Sequence, residues 1–177
     1  MVIRYAILGL LSWKPFTGYE LKKVFADSVA LYWSGNSNQV YPVLVQLHRD
    51  GLVTVRTEKS TGYPEKKVYS ITPLGMSALT AWVATTAPEL PQSRSIFLTQ
   101  LAWADLLPKE DLASLLDRYE EEVTMRLAMH REKVRRRPAA PDRTPRETFL
   151  WEMIAQHEIV MLEGELTWLA RIREGLV

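Results

Sequence analysis

The chain has 177 residues, and its 22 lysines and arginines nearly balance its 21 aspartates and glutamates, which gives a net charge of +1 at pH 7. A chain of this length buries about 70% of its unfolded surface on folding, so a hydrophobic fraction of 47% excludes global disorder. The absence of cysteine excludes disulfides, thiolate metal sites and a cysteine nucleophile. The longest apolar stretch, residues 5–13, is far shorter than the roughly 20 residues of a transmembrane helix. We therefore expect a cytoplasmic protein without membrane association.

The start of the chain predicts three short helices. The first covers residues 2–13 and ends before Pro15, because proline disfavours helical backbone in the residue that precedes it. The second begins at Thr17, which has capping-box spacing to an acidic residue three positions later. The third has apolar residues at helical spacing between Asn38, its expected cap, and Gly51, which suits a left-handed helix exit.

A β-hairpin and a fourth helix follow. Apolar and polar residues alternate over 53–56 and 67–72, which predicts two strands joined by a long, partly basic tip at 58–66. Thr72 and Pro73 then open the fourth helix as cap and first residue. Three helices, a basic hairpin and a closing helix are, in this order, the layout of a winged helix-turn-helix.

A proline-rich linker at residues 87–95 is predicted to separate two domains. The winged helix-turn-helix domain, residues 1–86, carries 9 basic and 5 acidic side chains (net +4), whereas the rest of the chain carries 13 basic and 16 acidic ones (net −3). Residues 96–177 show only helical patterns, and two long helices at 108–136 and 144–174 predict a helical hairpin. The expected fold is therefore mainly α with a small β-hairpin wing and a C-terminal helical dimerisation domain.

Short motifs lie along nearly the whole chain. In the first domain they are Leu8-Gly9-Leu10-Leu11, Gly18-Tyr19-Glu20-Leu21, Gln39-Val40-Tyr41-Pro42, Asp50-Gly51-Leu52-Val53 and Lys67-Val68-Tyr69-Ser70-Ile71-Thr72-Pro73-Leu74-Gly75. In the second domain they are Leu106-Leu107-Pro108 and Glu163-Gly164-Glu165-Leu166-Thr167-Trp168-Leu169. Their order and spacing closely resemble the PadR family, relatives of the phenolic-acid decarboxylase repressor, in its longer form. The resemblance implies a homodimeric transcriptional regulator, usually a repressor, that binds a pseudo-palindromic operator.

Nine residues are predicted to contact double-stranded DNA. They are Thr17, Gly18, Tyr19, Asn38, Gln39, Tyr41, Pro42, Lys66 and Lys67. The amides before the third helix can donate to adenine or guanine edges, with the Tyr-Pro pair against the sugar-phosphate wall. The start of the second helix and the wing lysines can hold phosphates. In the alternative interpretation, the amides only cap or meet solvent and the lysines belong to a solvated hairpin. Glu65 departs from the family, whose wings commonly carry arginine beside proline.

One face of the last helix is predicted to form the dimer interface. Its stripe consists of Leu150, Ile154, His157, Met161, Gly164 and Trp168. Further apolar residues widen this stripe beyond what one neighbouring helix covers, so a second subunit is the expected cover. The glycine in the stripe would permit close approach of two helices.

Tryptophans in the second half suggest a site for a small aromatic effector. Trp103, Trp151 and Trp168 lie in an acidic, methionine-rich part of the sequence and could hold a planar molecule. Large aromatic residues at helical spacing are more often part of a core or a dimer interface, and that alternative stays open.

No catalytic site is predicted. His48, His130 and His157 are the only histidines, no two of them have helical metal-ligand spacing, and the chain has no glycine-rich phosphate loop or nucleophile elbow. We therefore expect neither enzymatic activity nor a cofactor or metal. The cations at 133–137 are attributed to a helix C-terminus, which attracts positive charge. Two other functions remain open: a protein-interaction adaptor and a ligand sensor, each without direct DNA binding.

Overall fold

The computed structural model describes residues 2–28, 37–60, 63–88, 95–136 and 140–176. Its first half contains α1 (Val2–Trp13), β1 (Phe16–Thr17), α2 (Gly18–Asp27), a 3₁₀ turn (Ser37–Gln39), α3 (Val40–Arg49), β2 (Val53–Ser60), β3 (Tyr63–Ile71) and α4 (Pro73–Thr85). Its second half contains α5 (Ile96–Ala102), another 3₁₀ turn (Ala104–Leu106), α6 (Lys109–Arg135) and α7 (Pro145–Gly175). This order of elements confirms the predicted fold class, which is mainly α with a small β wing.

The wing is a three-stranded antiparallel sheet in the order β1-β3-β2. Its arms are longer than predicted, because Glu58 pairs with Lys66 within the segment that the sequence analysis assigned to the tip. Opposite charges at facing positions stabilise such a strand pair. The sequence pattern does not predict β1, since a strand of two residues has no alternation to detect. β1 joins the sheet by pairing Phe16 with Tyr69 of β3.

The starts of α2 and α3 differ in their capping. Thr17 caps α2 as predicted, because its hydroxyl accepts from the N–H of Glu20 at 3.2 Å while the Glu20 carboxylate accepts from the Thr17 N–H at 2.7 Å. The prediction that Asn38 caps α3 is wrong. The 3₁₀ turn moves the start of the helix past Asn38, so Gln39 takes the N-cap position without a side-chain cap, and Asn38 Oδ1 accepts from Lys22 Nζ at 3.5 Å.

The first compact unit comprises Met1–Pro88 and Pro138–Trp151. Its core surrounds α1, and the largest fully buried side chains are Ile7, Leu8, Leu10, Leu21, Val40, Leu44, Leu47 and Val53. Gly75 lets α4 pack closely on this core, since a Cβ at that position would lie 2.1 Å from the carbonyl oxygen of Leu52. The buried side chains of Val40, Leu44 and Leu47 therefore anchor α3, the candidate recognition helix, to this core.

Residues 140–151 pack with the first compact unit, whereas the sequence grouped them with residues 96–177. They belong to the first unit because Arg143 donates to Ser12 of α1 and Trp151 packs against the core that surrounds α1. The division at residues 87–95 therefore stays a proposal about where the functions separate. Within that predicted linker, residues 89–94 lie outside the described residues.

The second compact unit comprises Glu89–Arg137 and Glu152–Val177. Here α6 and α7 form the predicted helical hairpin, closed by apolar contacts and by ion pairs. The buried residues are Phe97, Leu115, Leu116, Val123, Leu127, Leu162 and Leu169. Arg173 of α7 lies 2.6 Å from Asp117 and 2.8 Å from Glu120, while Arg131 of α6 lies 2.6 Å from Glu163. Among the described helices, none combines the length and apolar character needed to cross a membrane.

Candidate nucleic-acid interface

A groove of about 1000 Å³ lies between the wing, the start of α2 and one side of α3. We call it the wing groove, and its lining residues are Pro15, Thr17, Gly18, Tyr19, Glu20, Tyr41, Val45, Arg56, Glu58, Glu65, Lys66, Lys67, Val68 and Tyr69. Six of the nine residues predicted to contact DNA are in this lining. The other three, Asn38, Gln39 and Pro42, are exposed on the turn before α3 and on its first turn.

The groove also contains a cation that the sequence analysis missed. Arg56 is exposed on β2, on the strand face opposite the inward-facing Val53 and Val55. That alternation along the strand was a signal from which Arg56 could have been identified.

Tyr41 lies directly against the start of α2. A Cβ built on Gly18 would be 2.5 Å from Tyr41 Cε1, so the ring can occupy this position only while residue 18 is glycine. Tyr41 is 49% exposed, whereas Tyr69 on β3 is 8% exposed. Burial raises the pKa of Tyr69, and neighbouring Tyr41 raises it further. This set of neighbours connects α2, α3 and the wing.

The start of α2 lines the groove with Gly18 and Tyr19. Helix geometry leaves the N–H groups of Gly18 and Tyr19 without intrahelical acceptors, and such groups bind anions. The hydrogen bond from the Thr17 N–H is the main reason that the pKa of Glu20 is below its usual value, and the Thr17 hydroxyl and two nearby lysines, including Lys66, lower it further. Glu20 is thus ionised at neutral pH, and the capping box stays closed.

Positive and negative side chains are balanced in the wing groove. Its cations are Arg56, Lys66 and Lys67, and it has as many carboxylates. Glu58 forms an ion pair with Arg56 and faces Lys66 in the strand register. A phosphate that binds here must therefore compete with carboxylates of the wing itself.

The predicted dimer stripe on α7 is mostly exposed in the single chain. Leu150 is 52%, Ile154 47% and Met161 53% exposed, and His157 and Gly164 are exposed as well. Nothing lies within 4 Å of a Cβ built on Gly164. The sixth residue, Trp168, differs because it is half-buried in the second unit, where its ring meets that of Phe97 edge-on at a centroid distance of 6.1 Å.

The three tryptophans of the predicted effector site have different surroundings. Trp103 is 70% exposed after α5. Trp151 packs against the core of the first unit, and Trp168 packs in the second unit beside the stacked rings of Phe97 and Tyr119. They therefore do not belong to one common cluster.

The remaining polar groups of interest have structural partners. His48 Nδ1 lies 3.1 Å from the carbonyl oxygen of Val53. In the basic run at 133–137, Arg135 and Arg136 both donate to Glu132, which lowers the pKa of that carboxyl to about 2. Residue 137 lies outside the described part of the chain. Within that described part, no cluster of three or more histidine, aspartate or glutamate side chains could hold a metal.

Comparison with known proteins identifies relatives for both units. The family model described as transcriptional regulator PadR-like family matches residues 7–81, and the model described as virulence activator alpha C-term matches residues 93–176. The negative transcriptional regulator PadR of Bacillus subtilis (strain 168) is 30% identical over 114 residues, which are 64% of this chain. The match spans 63% of that relative, slightly under two thirds of its length.

Solved structures share the fold along the whole chain. Bacillus subtilis PadR in complex with operator DNA has a TM-score of 0.84 at 22% identity, with 100% of both chains covered. The same protein in complex with p-coumaric acid has a TM-score of 0.81 at 22% identity, with 99% of both chains covered. The family models match the same two regions in which the motifs and the two groups of helices lie. Residues 7–81 therefore form a domain of the PadR-like family of transcriptional regulators, followed by a region that matches the virulence activator alpha C-term model.

Proposed function

We propose that the chain is a homodimeric repressor that binds a pseudo-palindromic DNA operator in the cytoplasm through its winged helix-turn-helix. The observation that carries this proposal is the wing groove, where six predicted contact residues from β1, α2, α3 and β3 line one concave surface. The solved complex of Bacillus subtilis PadR with operator DNA supports it through the shared fold. A twofold dimer would read two inverted half-sites about one helical turn, or a small multiple of it, apart.

Each part of the proposed interface has its own task. Asn38 and Gln39 would donate to base edges, because their side chains are exposed at the start of α3, the end of a recognition helix that usually meets the bases. Lys66, Lys67 and the start of α2 would hold the phosphate backbone. Since phosphate contacts carry no sequence information, discrimination between sequences would come from α3 rather than from the wing.

Two single substitutions separate these tasks. Gln39→Ala is expected to change which bases are selected from a random duplex pool, because it removes a donor to a base edge. Lys66→Ala is expected to weaken all duplexes similarly and to reduce the salt slope of binding by about one unit, because it removes one phosphate contact. Selection followed by salt-dependent binding measurements tests both expectations.

Gln156→Ala provides the control, since Gln156 is an exposed glutamine on α7 outside the wing groove and should leave selection unchanged. If the wild-type chain selects no duplex, DNA binding is refuted. If it selects duplexes without inverted symmetry, the twofold operator is refuted. If both substitutions leave selection and salt slope unchanged, the recognition surface is misplaced.

A planar aromatic effector is the second part of the proposal, supported by the p-coumaric acid complex of Bacillus subtilis PadR. We expect p-coumaric acid, or a compound of its class, to change tryptophan fluorescence and to bind more weakly when operator is present. Linkage requires DNA and effector to lower each other's affinity by the same factor, about 5- to 150-fold for a coupling of 1 to 3 kcal/mol.

Single substitutions Trp103→Phe, Trp151→Phe and Trp168→Phe would assign the signal. The smallest loss of signal is expected for Trp103, because its ring is 70% exposed. A compound that binds equally well with and without operator is not an inducer. If no planar aromatic compound binds, the tryptophans serve only packing and the effector proposal fails.

No enzymatic activity belongs to this proposal, because the family consists of transcriptional regulators and the site residues suit binding rather than catalysis. The adaptor and sensor alternatives predict that the wild-type chain leaves random duplexes unselected. The selection experiment therefore separates the proposed function from both alternatives.

A further inference from the structure

The first two turns of α7 belong to the first compact unit, although the same helix continues through the second. Among the described elements, α7 is the one helix that contributes residues to both units. Its start is well defined by local contacts. The hydroxyl of Thr144 accepts from the N–H of Glu147 at 3.1 Å, and Pro145 is the first helical residue, where proline is favoured.

Arg143 connects this helix start to α1. Its Nη1 donates to the carbonyl oxygen of Ser12 at 2.7 Å. Ser12 lies in the last turn of α1, where carbonyl groups lack intrahelical donors and carry partial negative charge, so a guanidinium is a suitable partner.

The Glu147 carboxylate holds the guanidinium in this orientation. It accepts from Arg143 Nε at 3.0 Å and from the Arg143 backbone N–H at 2.9 Å. Glu147 is the less exposed partner of this ion pair, with 19% of its side chain exposed against 45% for Arg143. The ion pair therefore holds the guanidinium in place, and its Nη1 donates to the carbonyl oxygen of Ser12.

Apolar contacts fix the same segment a second time. Pro141 is buried two residues before Arg143, and Trp151 is half-buried against the core that surrounds α1. The attachment thus extends over residues 141–151 and combines a charged contact with an aromatic one. Because Arg143 and Trp151 both hold this segment, it cannot rotate freely relative to α1.

We propose that Arg143 is a positioning residue for operator recognition: by binding Ser12 it fixes the DNA-binding unit on α7 and so sets the half-site spacing that the dimer accepts. The inference rests on the proposed function, because it presupposes a dimer that reads two half-sites. Arg143 touches no DNA in this scheme. Its effect is geometric, since two recognition helices held at a fixed separation accept one half-site spacing, whereas a loosened attachment accepts several.

The test compares Arg143→Ala with the wild type on three duplexes: the selected operator, the same operator with its half-sites moved apart by five base pairs, and a single half-site. For the wild type we expect the altered spacing to cost about tenfold or more in affinity, since the half-sites then lie on opposite faces of the duplex. For Arg143→Ala we expect this preference to fall to about threefold or less. Half-site affinity should stay unchanged, a result that a folding defect would not give.

Arg146→Ala is the matched control, because Arg146 is an exposed arginine three residues along the chain and should keep the wild-type spacing preference. Arg143→Lys should keep part of it, since an ammonium can still donate to the Ser12 carbonyl. Glu147→Gln removes the ion pair that orients Arg143 but leaves Arg143 in place, so it should also weaken the spacing preference. It is the deciding variant if Arg143→Ala has a low melting temperature.

Several results would overturn the inference. An unchanged spacing preference in both Arg143→Ala and Glu147→Gln would do so, as would an equal loss of half-site binding in both variants. A wild-type chain that binds no duplex would refute the proposed function itself, whereas a wild type that binds the operator with no preference for spacing would refute only the positioning role.

Discussion

Gly18→Ala is expected to weaken operator binding about tenfold, equivalent to about 1.4 kcal/mol, while the melting temperature of the chain stays nearly unchanged. The new Cβ would lie 2.5 Å from Tyr41 Cε1, far inside van der Waals contact, so the ring must leave the start of α2. Tyr41 is half-exposed and can move outward, which is why the cost appears in binding rather than in folding. The displaced ring would also change how accessible the backbone N–H groups of Gly18 and Tyr19 are to a phosphate.

Anisotropy titration and thermal denaturation measure the two effects separately. Gly9→Ala is the matched control, because nothing lies within 4 Å of a Cβ at that position in α1. It should leave DNA binding unchanged and could raise stability slightly, since alanine is the better helix former. In a Tyr41→Ala background, Gly18→Ala should cost little more, because the group that it displaces is already gone. Full additivity of the two substitutions would contradict the contact.

The sequence predicted those elements that have strong local signals. The bounds of α1 and the capping box of α2 agree with the structure, because proline and the Thr17-Glu20 pair act within one turn of helix. The order of elements in the winged helix-turn-helix was also predictable, since the spacing of apolar residues changes at Val53 from helical to alternating. Such signals do not depend on the tertiary structure.

The errors concern features that only tertiary contacts determine. β1 contains two residues and exists because β3 offers it a partner. The wing arms extend into a segment rich in charge, where Glu58 and Lys66 pair across strands that sequence alone does not align. At the start of α7 the Thr144 hydroxyl accepts from the N–H of Glu147, which is half of a capping box. The carboxylate itself accepts from Arg143, whose other partner is far away in sequence.

The candidate site was predictable as a set of residues but not as a charge distribution. The sequence identified the lysines of the wing and the departure at Glu65, yet the pairing of Glu58 with Lys66 and with Arg56 became known only from the structure. The effector residues show the same limit. Three tryptophans in one half of the sequence suggested one pocket, whereas the fold gives Trp151 and Trp168 to different compact units.

The double substitution Ile154→Asp with Met161→Asp is expected to convert the chain into a monomer and to lower operator affinity about a hundredfold. Both side chains are about half exposed on the α7 stripe, so the folded single chain should tolerate carboxylates there. In a twofold interface each change occurs twice, and four carboxylates would be buried without partners. A monomer binds one half-site at a time and loses the gain in effective concentration that linked half-sites provide.

Light scattering at micromolar concentration reports the oligomeric state, and the melting temperature reports whether the monomer is folded. The single change Gln156→Asp introduces the same charge on α7 at an exposed position roughly 120° around the helix from the stripe, and it should leave a dimer of wild-type affinity. If the double variant still forms a folded dimer, the stripe is not the dimer interface. In that case the exposed apolar residues around α5, including Ile96 and Trp103, become the surface to test next, because they are among the large apolar side chains that the second unit leaves uncovered.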